Sequence, residues 1–378
     1  MSMFANLEQT SAKTQFDIDN IDVSIVNALR RVILSDVPTI GFSFDPTVKE
    51  NDIVVHQNTG VLHNEFLAHR VSLVPLYFTS DEIENFIADQ YKFVLKVSNE
   101  TDGIKEVTTK DIMIYEKSGV QYPKEFRDRI FPANPITGDH ILLTKLKPNL
   151  FDKTRSDEIY LEAYASKNVG RVHSRWSPVS LCTYFNNIDE NAKEEGYELF
   201  KKKNTGLSEE ELSARFKTLE QYRYYKKNEH DEACSFHFEI KSVCNLRPTQ
   251  IFQTAIKVLI KKLQKFIDNV NEKTGVSIEK QRENNMFYVS VEDEDHTLGN
   301  LIQAMFYNIF IRKDFKNDED LKVSYIGYFK PHPLEDSVLF KIQTDEKDVR
   351  TVLTTGTTKI INFLSLVLEE WKAFVNDK

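Results

Sequence analysis

SIVNALRRVILSDVPTIGF, residues 24–42, is the stretch from which the fold is read. Ile25, Val26, Leu29, Val32 and Ile33 recur at helical spacing on one face, with Asn27, Arg30 and Arg31 kept off it. The run is therefore an amphipathic helix, ended by Pro38. Downstream, IVVHQN (residues 53–58) reads as a short strand. TGVLHNEFLAHRVSLVPL (residues 59–76) reads as a second helix that carries Leu62, Phe66 and Val71 and stops before Pro75. Two short helices around a strand fit many folds. A weaker copy of the first helix, HTLGNLIQAMF, returns at residues 296–306, and this repetition is what makes the pair informative.

Working outward, YKFVLKV (91–97) alternates as a half-buried strand. Residues 97–139 pattern poorly and are punctuated by Pro123, Pro132, Pro135 and Gly138, which suggests an inserted loop-rich module. Strands resume at HILLTKLK (140–147) and IYLEAYA (159–165). Residues 189–231 are the most charged region, and within it Ser208 and Glu211 have capping-box spacing ahead of Leu212, Phe216 and Leu219. The strand CSFHFEIKSV (234–243) leads to a long helix opened by Pro248, with a stripe of Ile251, Ala255, Leu259, Leu263, Phe266 and Val270. A matching stripe near the end of the sequence, Ile360, Phe363, Leu364, Val367, Trp371 and Phe374, supplies its partner.

Between these helices lie MFYVSVE (286–292), the HTLGN helix, KVSYIGYF (322–329) and SVLFKIQT (337–344). The order strand, helix, strand, strand, helix resembles that of the first half once its insertions are set aside. The expected fold class is α+β: two related units fused in one chain as an intramolecular pseudo-dimer, with an inserted loop-rich β domain in the first half. The expected boundaries are 1–96 for the start of the first unit and 97–139 for the insert, itself part of a larger insert extending to about residue 180. The remainder of the first unit, with its charged insertion 189–231, takes 140–271. A linker follows at 272–285 and the second unit at 286–378. The intramolecular dimer core is expected from Leu259, Leu263, Phe266, Phe363, Leu364, Val367 and Trp371.

With 378 residues, 40% of them hydrophobic, the chain can bury a sizeable core. Uncharged apolar runs fall short of the roughly 20 residues of a membrane span, and the N-terminal residues lack signal-peptide character, so no membrane role is expected. Cys182, Cys234 and Cys244 are odd in number and lack CxxC spacing, which argues against a disulfide framework or a zinc knuckle. A net charge of −9 disfavours direct nucleic-acid reading.

Three constellations invite chemistry. His63, Glu65 and His69 suggest a metalloprotease, but histidines six apart lie about 120° from eclipsing on a helix, on different faces. Asp293, Asp295 and His296 resemble a magnesium-holding acidic pair and leave a metal-dependent hydrolase or nucleotidyltransferase as the alternative function. Their place just before a helix, with no basic phosphate cradle nearby, favours capping. In KNVGRVHSRWSPV (167–179), Arg171, His173 and Arg175 crowd around Trp176 without a nucleophile or carboxylate, which favours a core-plugging Trp176 with basic residues that contact backbone or a partner. There is no phosphate-cradling GxxxxGK loop or GxSxG elbow.

NALRRVILSDVPT (27–39) with NTGVLHNEFLAHRVSLVPL (58–76) resembles the signature of the alpha-like subunits of DNA-directed RNA polymerases: bacterial alpha, archaeal D and the third-largest subunit of polymerase II. ITGDHILLTKLKP (136–148), VGRVHSRWSPV (169–179) and FHFEIKSVCNLRPTQIFQTAIKVLIKKL (236–263) continue that resemblance. DEDHTLGNLIQAM (293–305) and YFKPHPLEDSVLFKIQT (328–344) are similar to the small alpha-like subunit, archaeal L or the eleventh subunit of polymerase II. Their fusion in one chain resembles the subunit of nucleocytoplasmic large DNA viruses. The resemblance implies a non-catalytic assembly platform for two large catalytic subunits and a small zinc-bearing subunit. It implies contact with DNA and RNA only through that complex, and no homo-oligomer.

The same resemblance implies a viral factory in the host cytoplasm and the virion as the location, or the nucleus if the protein is cellular. It places Asn27, Arg30, Arg31, Glu65, His69 and Arg70 at the large-subunit interface, with Arg31 the main grip. Arg171, Trp176 and Pro178 become loop-fixing residues, and His296 with Asn300 the second-unit motif. Residues 97–139 lack the cysteine cluster of many cellular relatives, so no metal or cofactor is carried over.

Overall fold

The computed structural model describes residues 2–149, 156–244, 246–281, 285–315 and 321–376. The chain begins with β1 (Phe4–Gln9), β2 (Lys13–Asp19) and α1 (Val23–Ser35). Next come β3 (Pro38–Gly41), β4 (Ile53–Asn58), α2 (Asn64–Ser72), α3 (Ser80–Glu84), β5 (Tyr91–Ser98), β6 (Lys105–Thr108) and β7 (Ile112–Glu116). These are followed by α4 (Lys124–Ile130), β8 (Leu142–Leu146), β9 (Glu158–Tyr164), β10 (Ser166–Val169), β11 (Val179–Asn186), α5 (Glu190–Lys203) and α6 (Glu209–Leu219). Then come β12 (Ser235–Ser242), α7 (Pro248–Glu272), β13 (Val276–Lys280), β14 (Met286–Glu292) and α8 (His296–Phe306). The last elements are β15 (Val323–Phe329), β16 (Ser337–Thr344) and α9 (Val349–Asn376). Two compact units result. One takes Met1–Ile33, Leu181–Lys241 and Ile251–Lys378, the other Leu34–Ser180 with Ser242–Gln250.

The first unit contains one design twice. Its two four-stranded sheets have the orders β1-β2-β12-β11 and β13-β14-β16-β15, so hairpin, helix, two further strands and long helix recur in register. Alternation sets each buried face: Phe16 and Ile18 on β2, Phe236, Phe238 and Ile240 on β12, and Val338, Phe340 and Ile342 on β16 are all buried. The long helices then cross between copies. Phe252, near the start of α7, packs on Phe16 and Phe238 of the first sheet, whereas Phe266 further along meets Phe340 of the second. Helix α9 runs reciprocally. Gly356 lies against Phe306 and Phe310 of the second copy, and Trp371 sits among Phe4, Phe16 and Phe252 of the first.

Leu259, Leu263, Phe266, Leu364, Val367 and Trp371 are all buried. Phe363 departs from the expected core set: it is half-buried, edge-on to Phe315, because it sits one position off the stripe of Ile360, Leu364, Val367 and Trp371. Helix α9 is long and apolar enough, by length and composition, to cross a membrane; in this fold that stripe lies in the core.

Residues 272–285, expected as a linker, contain β13, an edge strand paired with β14 from Val276↔Val291 to Lys280↔Phe287. Only Val276 in it is buried, and so weak an apolar signal reads as connecting chain. The charged insertion holds two helices. α6 has the expected capping box between Ser208 and Glu211 and buries Leu212 and Phe216, but Leu219 is 63% exposed. In α5 the buried Gly196 faces the Tyr224 ring so closely that any Cβ would collide with it.

In the second unit β4-β9-β5-β7 form the main sheet, with β3–β10 and β6–β8 as separate pairs. The boundary expected at residue 97 falls inside β5, and β7, from the stretch expected to be loop-rich, pairs with β5. Ile112 and Ile114 are buried, yet IMIYE is too short a run among prolines to stand out in the sequence. The strands within 140–147 and 159–165 belong to this unit and not to the first. On α2 the buried face is Leu67, Ala68, Val71 and Ser72. Phe66 is 58% exposed, one position out of phase with that face.

Candidate assembly interface

The site in the first unit is built on the starts of two equivalent helices. Asp22 accepts from the Ser24 amide at 2.7 Å and so caps α1; Asp295 accepts from the Thr297 amide at 2.8 Å and caps α8. From the polar side of α1, Arg31 reaches α8: its Nε donates to Thr297 Oγ1 at 2.8 Å and its Nη2 to Asp295 Oδ2 at 3.4 Å. One carboxylate thus neutralises the positive end of α8 and anchors an arginine of the other copy. Asn308 Nδ2 donates to Asp22 Oδ2 at 2.8 Å, a second polar tie between the copies. Arg30 donates through Nε and Nη2 to Asn27 Oδ1 at 3.1 and 3.0 Å, an i, i+3 pairing that holds both side chains along α1. Asn300 lines a cavity beside α8, and His296 is exposed with Tyr328 OH 3.4 Å from its Nδ1.

Two sequence expectations meet the structure here. Arg31, expected to hold a large subunit, also has partners within the chain, because the fold brings α8 opposite α1, and its side chain stays 37% exposed. Asp293, Asp295 and His296 do not converge. Asp293 occupies a left-handed turn at φ +59°, the Asp295 carboxylate caps α8 and pairs with Arg31, and no group of three potential metal ligands occurs among the described residues.

In the second unit the loop around Trp176 is fixed by backbone contacts. Trp176 is 2% exposed, and its carbonyl accepts from Thr39 Oγ1 at 2.7 Å. Arg171 grips the buried Asp36 carboxylate in a fork, Nε to Oδ1 at 3.0 Å and Nη2 to Oδ2 at 3.2 Å. Arg175, one of the basic residues expected to contact backbone or a partner, lies over the Trp176 ring and donates to the carbonyls of Phe42 and Phe44. His173 Nδ1 accepts from the Arg175 amide and Nε, both at 3.1 Å. Burial, then the Arg175 and His69 charges, hold its pKa below the ordinary 6.5. The Pro178 carbonyl accepts from the Val243 amide at 3.0 Å. A Cβ at Gly170 would stand 2.4 Å from the Leu34 carbonyl oxygen, so this glycine permits the close approach of the loop.

On α2, Arg70 donates to the Leu143 and Leu142 carbonyls, both at 2.9 Å, and ties the helix to β8. Glu65 and His69 are exposed and make no side-chain hydrogen bond or ion pair among the described residues; beside them Phe66 is edge-on to His63 at 4.6 Å.

Family comparison settles what the doubled design is. Residues 15–263 match the model described as RNA polymerase Rpb3/Rpb11 dimerisation domain, and residues 287–370 match a second model of the same description. The chain belongs to the Rpb3/Rpb11 dimerisation-domain family. Both matches fall on the repeated sheet-and-helix halves, the first spanning the inserted unit. Among relatives of this Rpb3/Rpb11-family chain, the Dictyostelium discoideum DNA-directed RNA polymerases I and III subunit rpac1 is 26% identical over 70% of this chain and 81% of that protein. The Pyrococcus horikoshii DNA-directed RNA polymerase subunit Rpo3 is 24% identical over 71% of this chain and 98% of that protein. The Arabidopsis thaliana DNA-directed RNA polymerases IV and V subunit 3B is 30% identical, but the alignment spans about half of each, 45% of this chain and 52% of the relative.

Proposed function

We propose that this chain is the non-catalytic assembly subunit of a multisubunit DNA-directed RNA polymerase and carries both alpha-like halves in one polypeptide. The observation that carries this reading is the repeated sheet-and-helix design, both copies of which match the Rpb3/Rpb11 models and are interlocked by reciprocal long helices. Relatives named as polymerase subunits support it. Fusion makes the pairing intramolecular, so a high effective concentration replaces a bimolecular assembly step. Two large catalytic subunits and a small zinc-bearing subunit are the partners that fit the sequence resemblance, with DNA and RNA reached only through the complex.

Arg31 and Arg70 are engaged within the chain and act by positioning α8 and α2, as do Asn27 and Arg30 on α1. The exposed Glu65, Phe66 and His69 on α2 offer a mixed charged and aromatic face for a large subunit. The fusion of both halves in one chain, which resembles the subunit of nucleocytoplasmic large DNA viruses, supports a place in a viral factory of the host cytoplasm and in the virion, with the nucleus as the place if the source is cellular.

Native mass spectrometry of the purified complex tests the reading. Stoichiometric association with two very large chains is expected; its absence overturns the proposal. The chain by itself should show no magnesium-dependent hydrolase or nucleotidyltransferase activity, and activity abolished by Asp295→Ala would overturn it as well.

A further inference from the structure

A cavity of about 560 Å³ opens within the first unit, in the size range of roughly 300–1,000 Å³ typical of ligand sites. Its walls come from both copies: the residues leading into α1, the turn before β12, α8 with the π-helical turn Tyr307–Ile311 that follows it, and Phe363 of α9. That turn is not idle packing. It directs Asn308 to Asp22, and π-turns of this kind concentrate at functional sites. Arg312 then reaches Glu232 at 2.6 Å and Asp314, clamping the turn before β12 against the second copy.

Three features of the lining define what it accepts. Side-chain amides recur around it: Asn228 and Asn308 bond within the chain, to Glu232 and Asp22 among others, while Asn20, Asn300 and Gln303 are left to face a ligand. An amide offers both a donor and an acceptor, the complement of a peptide group rather than of a phosphate or a carboxylate, which only accept. The charged lining residues are Asp22, Glu232 and Asp314 against Arg312 alone, and that guanidinium is already held by two of the three carboxylates, so the cavity favours a cation. Ile21, Met305, Phe315 and Phe363 add apolar wall suited to an aliphatic stem. Ser24, also in the lining, carries a buried hydroxyl that makes no hydrogen bond among the described residues.

We propose that this cavity receives an extended peptide segment of a partner polymerase subunit, which inserts one lysine or arginine side chain between its carboxylates and its aromatic wall. The inference rests on the assembly-subunit reading. Docked across both copies, such a segment would bind the folded pseudo-dimer and neither half alone.

Cys234 provides a built-in reporter, since it lines the cavity and is half-exposed. Cys182 is buried, with its thiol pushed up to about 12 by burial, and serves as the unreactive control. The full chain, free and in the purified complex with its large partners, is treated with iodoacetamide and mapped by mass spectrometry. In parallel, p-benzoylphenylalanine at Asn300 is photo-crosslinked within the complex. Alkylation of Cys234 at least about ten-fold slower in the complex, with a crosslink to a lysine- or arginine-bearing segment of a partner, is the expected result. Equal alkylation in both states overturns the proposal, as does protection with crosslinks only to this chain or to a segment without a basic residue. A chain that enters no complex at all refutes the assembly reading itself.

Discussion

Two acceptors at the start of α8, the Thr297 hydroxyl and the carboxylate of its cap Asp295, hold the Arg31 guanidinium of α1. Arg31→Glu would place a carboxylate beside Asp295 and leave Thr297 without its donor. Because the site is partly solvated, the cost should be about 1–3 kcal/mol of stability, with Arg31→Lys losing less; urea unfolding of the free chain measures both. In the second unit His173 works by staying neutral and accepting from Arg175. Its pKa is lowered on folding, so the unfolded chain binds the proton more readily. The contribution is whole above the unfolded value near 6.5 and is lost as pH falls below it. Amide exchange across residues 169–179 should therefore accelerate, relative to the sheet strands, between pH 7.5 and pH 5.5. The sequence already crowds His173 against Arg175, two residues on, whereas nothing in the spacing of Arg31 shows that Thr297 and Asp295 lie opposite.

Helix α9 shows how an element can favour a residue of poor helix propensity. A Cβ at Gly356 would lie 2.6 Å from one Phe306 ring atom and 2.8 Å from one of Phe310, both rings buried. Alanine there gains up to about 1 kcal/mol of helix propensity but overpacks the contact by about 1–3 kcal/mol. Gly356→Ala should thus destabilise on balance, as a lowered melting temperature. The capping box of α6 predicts the opposite kind of effect, local and exposed. Ser208→Ala should cost about 1 kcal/mol and loosen amide protection at residues 209–212 without moving the core transition. Long apolar periods and capping boxes are strong local signals, which is why α1, α6, α7 and α9 were all legible. β1, β11 and β13 were not read: each is an edge strand with few inward residues, and its pairing partner makes it a strand; β2 was passed over too, although it is interior and Thr14, Phe16 and Ile18 alternate inward along it.

At the scale of the whole molecule the crossing of α7 and α9 makes the two halves of the first unit one cooperative body. Leu263 on α7 is fully buried, so Leu263→Asp places an unpaired charge in the core; a loss of more than about 4 kcal/mol and failure of the unit to fold are expected in circular dichroism melts. Because both halves share one chain, the midpoint of thermal unfolding should be independent of protein concentration. A midpoint that rises with concentration would show pairing between chains instead.

The repetition, the α+β class, the two long apolar helices and the family resemblance were all determined by the sequence alone, because periodicity and local motifs are written in consecutive residues. Which copy each long helix finishes on, the start of the inserted unit at residue 34 rather than 97, and the partners of Arg31 and Asp295 were decided only by tertiary structure. Each of these depends on groups hundreds of residues apart meeting across a packed core, and side-chain spacing along one helix carries no record of what faces it.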